Sequence, residues 1–274
     1  MNTDRSVKVK DIVDKFQMEV IFEGKDYETE TLTITDVNRP GLQFIGFFDY
    51  FDPRRLQIIG KSETTFLKSF SSGERRKCFE DIFRHEIPAL VISRNLDVFP
   101  ECLEMAKKYG RTLLRTGHTS VEFTSMTIDY LNHELAPVIT RHGVLMDVYG
   151  EGVLILGDSG IGKSETAIEL IKRGHRLVAD DAVEIKRIGG TLFGTAPELI
   201  RNYLEVRGVG VIDVQKLFGM GAVQDSTQID LVIQFEKWAD DKYYDRLGLD
   251  ERFTSIMDVR VPMSVIPVSA GRNL

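Results

Sequence analysis

The chain has 274 residues, 42% of them hydrophobic and 28% charged, which suits a globular protein able to bury a substantial core across about two domains. A formal net charge of −7 weighs against nucleic acid as the main ligand, because a phosphate backbone calls for a basic face. The two cysteines, Cys78 and Cys102, form no C-x-x-C pair, so neither a redox dithiol nor a structural zinc centre is supported and both read as reduced thiols. The polar start, Met1 to Lys10, lacks the apolar stretch of a signal peptide, and no run approaches the ~20 apolar residues of a membrane helix, so a cytoplasmic protein is expected.

From Leu56 onward the first half alternates strand and helix signals. Leu56 to Gly60, Ala89 to Ser93 and Thr112 to Thr116 are short apolar runs that read as strands. Ser62 to Phe70, Gly73 to Phe83, Phe99 to Tyr109 and Thr119 to Leu131 carry helical spacing, and Gly110 stops the third. Apolar strands separated by helices imply a parallel sheet covered on both faces. No glycine-rich phosphate loop occurs here, which favours a structural or regulatory role. A boundary is expected near positions 132–140, a polar stretch containing Pro137. Beyond it, Val144 to Tyr149 and Gly152 to Leu156 read as strands joined around Gly150, and Ser164 to Lys172 as a helix. His175 to Ala179 reads as a short strand, Val183 to Ile188 and Thr191 to Thr195 as a hairpin, Ile229 to Phe235 as a strand and Met257 to Val268 as extended chain.

The strongest motif is Gly157-Asp-Ser-Gly-Ile-Gly-Lys-Ser164, a full G-x-x-x-x-G-K-[ST] match between an apolar strand and an amphipathic helix. Gly157, Gly160 and Gly162 let the backbone curl so that N–H groups face phosphate oxygens, with Asp158, Ser159 and Ile161 completing the loop. Lys163 supplies a cation for the β/γ phosphates and Ser164 a hydroxyl for Mg²⁺. This predicts a nucleoside triphosphatase or phosphotransferase. The N-K-x-D signature of guanine-specific switches is absent.

Asp180 and Asp181 end the next apolar run, where one can orient metal and the other act as base toward a hydroxyl. Each further residue has a bland reading beside the functional one. His142 is a surface or core side chain, or pairs with an active-site carboxylate. Glu205 and Arg207, before two glycines and an apolar run, form a salt-bridged turn, or a metal ligand with an arginine near the phosphates. Arg246 and Arg272 are surface residues, or planar guanidinium groups that neutralise phosphoryl charge.

Taken together, the chain resembles the HPr kinase/phosphorylase family. The resemblance rests on Arg141-His-Gly-Val144, the phosphate loop through Glu165, His175-Arg-Leu-Val-Ala-Asp-Asp181, Leu204-Glu-Val-Arg-Gly-Val-Gly-Val211, Tyr244-Asp-Arg-Leu-Gly248 and Gly271-Arg-Asn273, in family order. It implies an α/β protein, with an N-terminal α/β domain with a parallel sheet over 1–132 and a C-terminal P-loop kinase domain over 133–274. It further implies His142, Lys163, Asp181 and Arg246 as catalytic residues, Asp181 taking and returning the serine proton, and Ser164 and Glu205 as Mg²⁺ ligands. Arg207 falls in a segment used in both directions, and Gly271 and Arg272 in one tied mainly to dephosphorylation. Expected with it are ATP or pyrophosphate as donor, a serine of HPr as acceptor, phosphate-dependent reversal releasing pyrophosphate, a hexamer, and control of carbon catabolite repression. Two departures stand out. Ser269 and Ala270 replace a cation and a proline of the family pattern, which predicts weaker dephosphorylation, and the family's C-terminal helices have no counterpart before Leu274. The rival readings are a P-loop kinase of a small metabolite and a nucleotide-sensing interaction protein without turnover.

Overall fold

The computed structural model describes residues 5–239 and 252–269. Two compact units divide the chain, one of residues 3–136 and one from Pro137 onward.

In the first unit a five-stranded sheet has the order Glu19–Phe22, Thr112–Arg115, Ala89–Ile92, Leu56–Ile59, Val37–Asn38. The last four strands are parallel and the first is antiparallel to its neighbour. The central strands are near-continuous apolar runs because both faces are covered. Alternate side chains go to opposite sides. Leu56, Ile58 and Val91 pack with helices Val9–Lys15 and Ser120–Glu134, whereas Ile59, Leu90 and Ile92 pack with Lys61–Lys68, Ser72–Phe83 and Pro100–Tyr109. Two helices start in capping boxes: Ser71 and Glu74 exchange side-chain and backbone hydrogen bonds, as do Thr119 and Glu122. Gly110, at φ +64, ends the Pro100–Tyr109 helix.

The second unit has three layers. Its six-stranded sheet runs Arg176–Ala179, Val144–Val148, Glu151–Leu156, Leu231–Lys237, Val259–Val268, Arg252–Ile256. Only the pairs made by Leu231–Lys237 are parallel. Helix Lys163–Lys172 covers one face through Ala167 and Ile171. On the other face lies an antiparallel four-stranded sheet, Ser226–Gln228, Thr191–Thr195, Ala182–Ile188, Val138–His142, which contributes Val183, Ile185 and Leu192 to the core.

Several elements depart from the sequence expectation. Val138–His142 begins in the polar boundary stretch yet forms an edge strand, pairing His142 with Ala182. The Glu205 segment is a two-stranded ribbon, Tyr203–Val206 with Gly210–Asp213, rather than a turn entering one strand. The stretch Met257 to Val268 begins with a turn, Met257 and Asp258 at positive φ, so that the strand starts at Val259.

Candidate active site

The strand Glu151–Leu156 delivers the chain into the loop 157–162, and the helix begins at Lys163. Gly157, Gly160 and Gly162 have φ of +151°, +77° and +113°, a region that penalises any side chain. Gly157 also lies against the strand behind it, where a Cβ would come within 2.8 Å of the Phe235 carbonyl. At Gly160 a Cβ would overlap the Arg207 guanidinium, so the arginine lies directly on the loop. Ser159, Gly160, Gly162, Lys163 and Ser164 line a cleft. The other three loop residues serve it from behind: Ile161 is buried in the core, and the Gly157 and Asp158 carbonyls accept hydrogen bonds from Lys163 Nζ at 2.8 and 3.0 Å. Lys163 is only 6% exposed, so its ammonium group is held by the loop it would share with a phosphate.

The two aspartates occupy different environments although adjacent. Asp180 is 4% exposed and accepts from Ser164 Oγ at 2.9 Å and from the Glu205 amide at 3.0 Å. Desolvation pushes its carboxyl above the ordinary aspartate range; these hydrogen bonds pull back, and the neighbouring Asp181 charge adds to the rise. Asp181 is exposed at the cleft, in a left-handed conformation (φ +66°), with Oδ1 3.0 Å from His142 Nδ1. The strand pairing of His142 with Ala182 and the bond from the Gly143 amide to the Asp181 carbonyl fix that contact. Of the residues singled out from the sequence, the structure thus brings His142, Lys163, Ser164, Asp181, Glu205 and Arg207 to one cleft.

Glu165, from the first turn of the helix, also lines the cleft. Sequence reasoning gave it no role, although its place just after the loop was the available signal. The residue pattern alone does not separate Asp180 from Asp181, which the family resemblance picks out; burial, backbone conformation and partners distinguish them in the fold. Arg246, Gly271 and Arg272, together with Ala270, lie outside the described residues. Ser269 is described, following the strand Val259–Val268.

The donor set suits a hard divalent cation: a hydroxyl, a desolvated carboxylate whose burial calls for positive charge, and a second carboxylate on Glu205. Among the described residues no group of three His, Cys, Asp or Glu side chains is arranged to hold a metal alone. Mg²⁺ typically needs no such cage, since it takes one or two carboxylates and completes its shell with water and substrate phosphates.

The profile of the HPr Serine kinase C-terminal domain matches residues 133–274, and that of the HPr Serine kinase N terminus matches residues 7–131. The HPr kinase/phosphorylase of Caldanaerobacter subterraneus is 51% identical over 269 residues, 98% of this chain and 88% of the relative. That of Caldicellulosiruptor bescii is 51% identical over 264 residues, covering 96% and 85% respectively. Among solved structures, the HPr(Ser) kinase/phosphatase from Coxiella burnetii is similar, at 36% identity and a TM-score of 0.46, over 49% of this chain and 82% of that one.

Proposed function

The chain belongs to the HPr kinase/phosphorylase family, and from that premise we propose that its cleft runs one phosphoryl transfer in two directions. The enzyme phosphorylates a serine of HPr and removes that phosphate again, in control of carbon catabolite repression. The observation that carries the assignment to this cleft is the convergence of the phosphate loop, the Asp181–His142 pair and the Glu205–Arg207 ribbon on one space.

In the forward direction ATP or pyrophosphate lies along the loop, its oxygens on loop amides and on the Lys163 ammonium group. The serine oxygen attacks the terminal phosphorus, the bond to the bridging oxygen breaks, and the serine proton passes to Asp181. His142 holds Asp181 in place through its Nδ1. Exposure keeps Asp181 able to reach an incoming hydroxyl, while Asp180 stays buried and orients Ser164 and the backbone at Glu205. Arg207 spreads the charge that develops on the transferring group, as Arg246 and Arg272 are proposed to do. Bound Mg²⁺, on Ser164 and Glu205, would neutralise phosphate oxygens. In reverse, inorganic phosphate attacks the phosphoserine, protonated Asp181 returns its proton to the leaving serine oxygen, and pyrophosphate departs. Gly271 and Arg272 are assigned to this direction, and Ser269 and Ala270 are expected to slow it.

We further propose a homohexamer working in the cytoplasm. No described helix is long and apolar enough to cross a membrane.

The decisive variant is Asp181→Asn. Transfer to HPr and phosphate-dependent release from phosphoserine-HPr should both fall by about two to four orders of magnitude, with ATP affinity retained. Normal transfer by this variant, followed with radiolabelled ATP, would remove Asp181 from the role.

A further inference from the structure

The two-stranded ribbon has unequal faces. Leu204, Val206 and Ile212 turn inward and join the core beneath helix Lys163–Lys172. The strand period sends the alternate residues outward, and the pairing sets Glu205 opposite Val211 and Tyr203 opposite Asp213. The outer face would ordinarily be polar, yet Val211 is 69% exposed, Val209 at the tip 73% and Tyr203 41%. Single exposed apolar side chains need no explanation by themselves. Here position matters. Directly opposed residues on one face of an antiparallel pair have Cβ atoms about 5 Å apart. Val211 is therefore the immediate neighbour of a residue that lines the cleft.

A metabolite filling the cleft would leave these valines, set beside the acidic Glu205 and Asp213, in water. An acceptor whose serine enters the cleft as part of a folded protein would lay its surface across them. We propose that Val209 and Val211, flanked by Tyr203, dock the acceptor protein, and that the matching surface carries apolar side chains beside the acceptor serine. The proposal rests on the reading of HPr as acceptor.

The test compares the wild type with the double variant V209S/V211T, which keeps side-chain shape at position 211 and adds no charge beside Glu205. Transfer is measured over a range of HPr concentrations, ATP affinity by calorimetry and assembly mass by light scattering. The expected result is a KM for HPr raised about tenfold, consistent with losing part of the burial of two valines, with kcat, ATP affinity and mass unchanged. Val211→Ile should keep the wild-type KM. An unchanged KM in the double variant overturns the proposal. So does a loss of ATP affinity, which would make the valines supports of the ribbon, or a changed mass, which would make the face a contact between copies of the chain. Failure of the wild type itself to phosphorylate HPr would refute the underlying reading and this docking surface with it.

Discussion

Burying a carboxylate is costly unless its oxygens are met, and Asp180 has a hydroxyl on one and an amide on the other. The compensation is incomplete, since its carboxyl remains above the ordinary aspartate range, first through desolvation. A group raised in this way stabilises the fold fully at pH values below its unfolded pKa. That contribution is lost as pH rises through the folded pKa. Asp180→Asn should therefore raise the melting temperature at pH 7, with a gain that shrinks as pH falls toward about 4. The asparagine fits if its carbonyl faces the Glu205 amide and its NH₂ donates to Ser164 Oγ, which can accept as well as donate. Mg²⁺-dependent ATP binding should weaken in the same variant. A melting curve lowered equally at both pH values would show that the burial cost has been misjudged.

Helices Ser72–Phe83 and Pro100–Tyr109 are joined by Arg75 and Glu101, 2.9 Å apart, with side-chain exposures of 20% and 6%. The bond from Arg75 holds the Glu101 carboxyl at about 2 against an ordinary 4.5, so its stabilisation is present above about pH 4.5 and lost as pH falls toward 2. Arg75→Met strands a buried charge and should cost about 3 kcal/mol near neutral pH, read from denaturant unfolding. A loss below ~1 kcal/mol would mean that Glu101 finds another partner. These helices are legible in sequence because their apolar residues repeat with the helical period, and the strand Ala89–Ile92 between them because it is a short, continuous apolar run. The elements that escaped are those with little to bury. Val138–His142 and Glu19–Phe22 lie at sheet edges with mostly half-exposed or exposed side chains, so their pairing leaves almost no apolar signature. The site divides in the same way. The phosphate loop is contiguous and readable, and the family resemblance carried by the motifs around His142, Asp181 and Glu205 points to those residues. The contacts of Asp180 with Ser164 and the Glu205 amide, and of Arg207 with Gly160, join distant positions that no local pattern links.

Each unit of the molecule carries its own cores, one set drawn from residues up to Leu135 and the other from Ile139 onward. Ligand binding stabilises the part that holds the ligand, by about 2.7 kcal/mol at a hundredfold excess over Kd. Mg²⁺ with ATP should accordingly slow amide exchange in peptides covering 157–172 and 203–213 and leave those from 56–134 unchanged. Protection confined to 56–134 would place the nucleotide elsewhere. The tie that Asp180 makes between positions 164 and 205 also bears on how the protein is born. Domains tend to fold as units while synthesis proceeds from the N-terminus. A nascent chain that has emerged only as far as residue 180 owns the glycine loop but lacks the ribbon that finishes its surroundings. Such a fragment also lacks the strand Leu231–Lys237, which pairs with the strand leading into the loop and against which Gly157 packs, so its loop has no finished support and a stalled or clipped polypeptide is silent instead of modifying HPr unchecked.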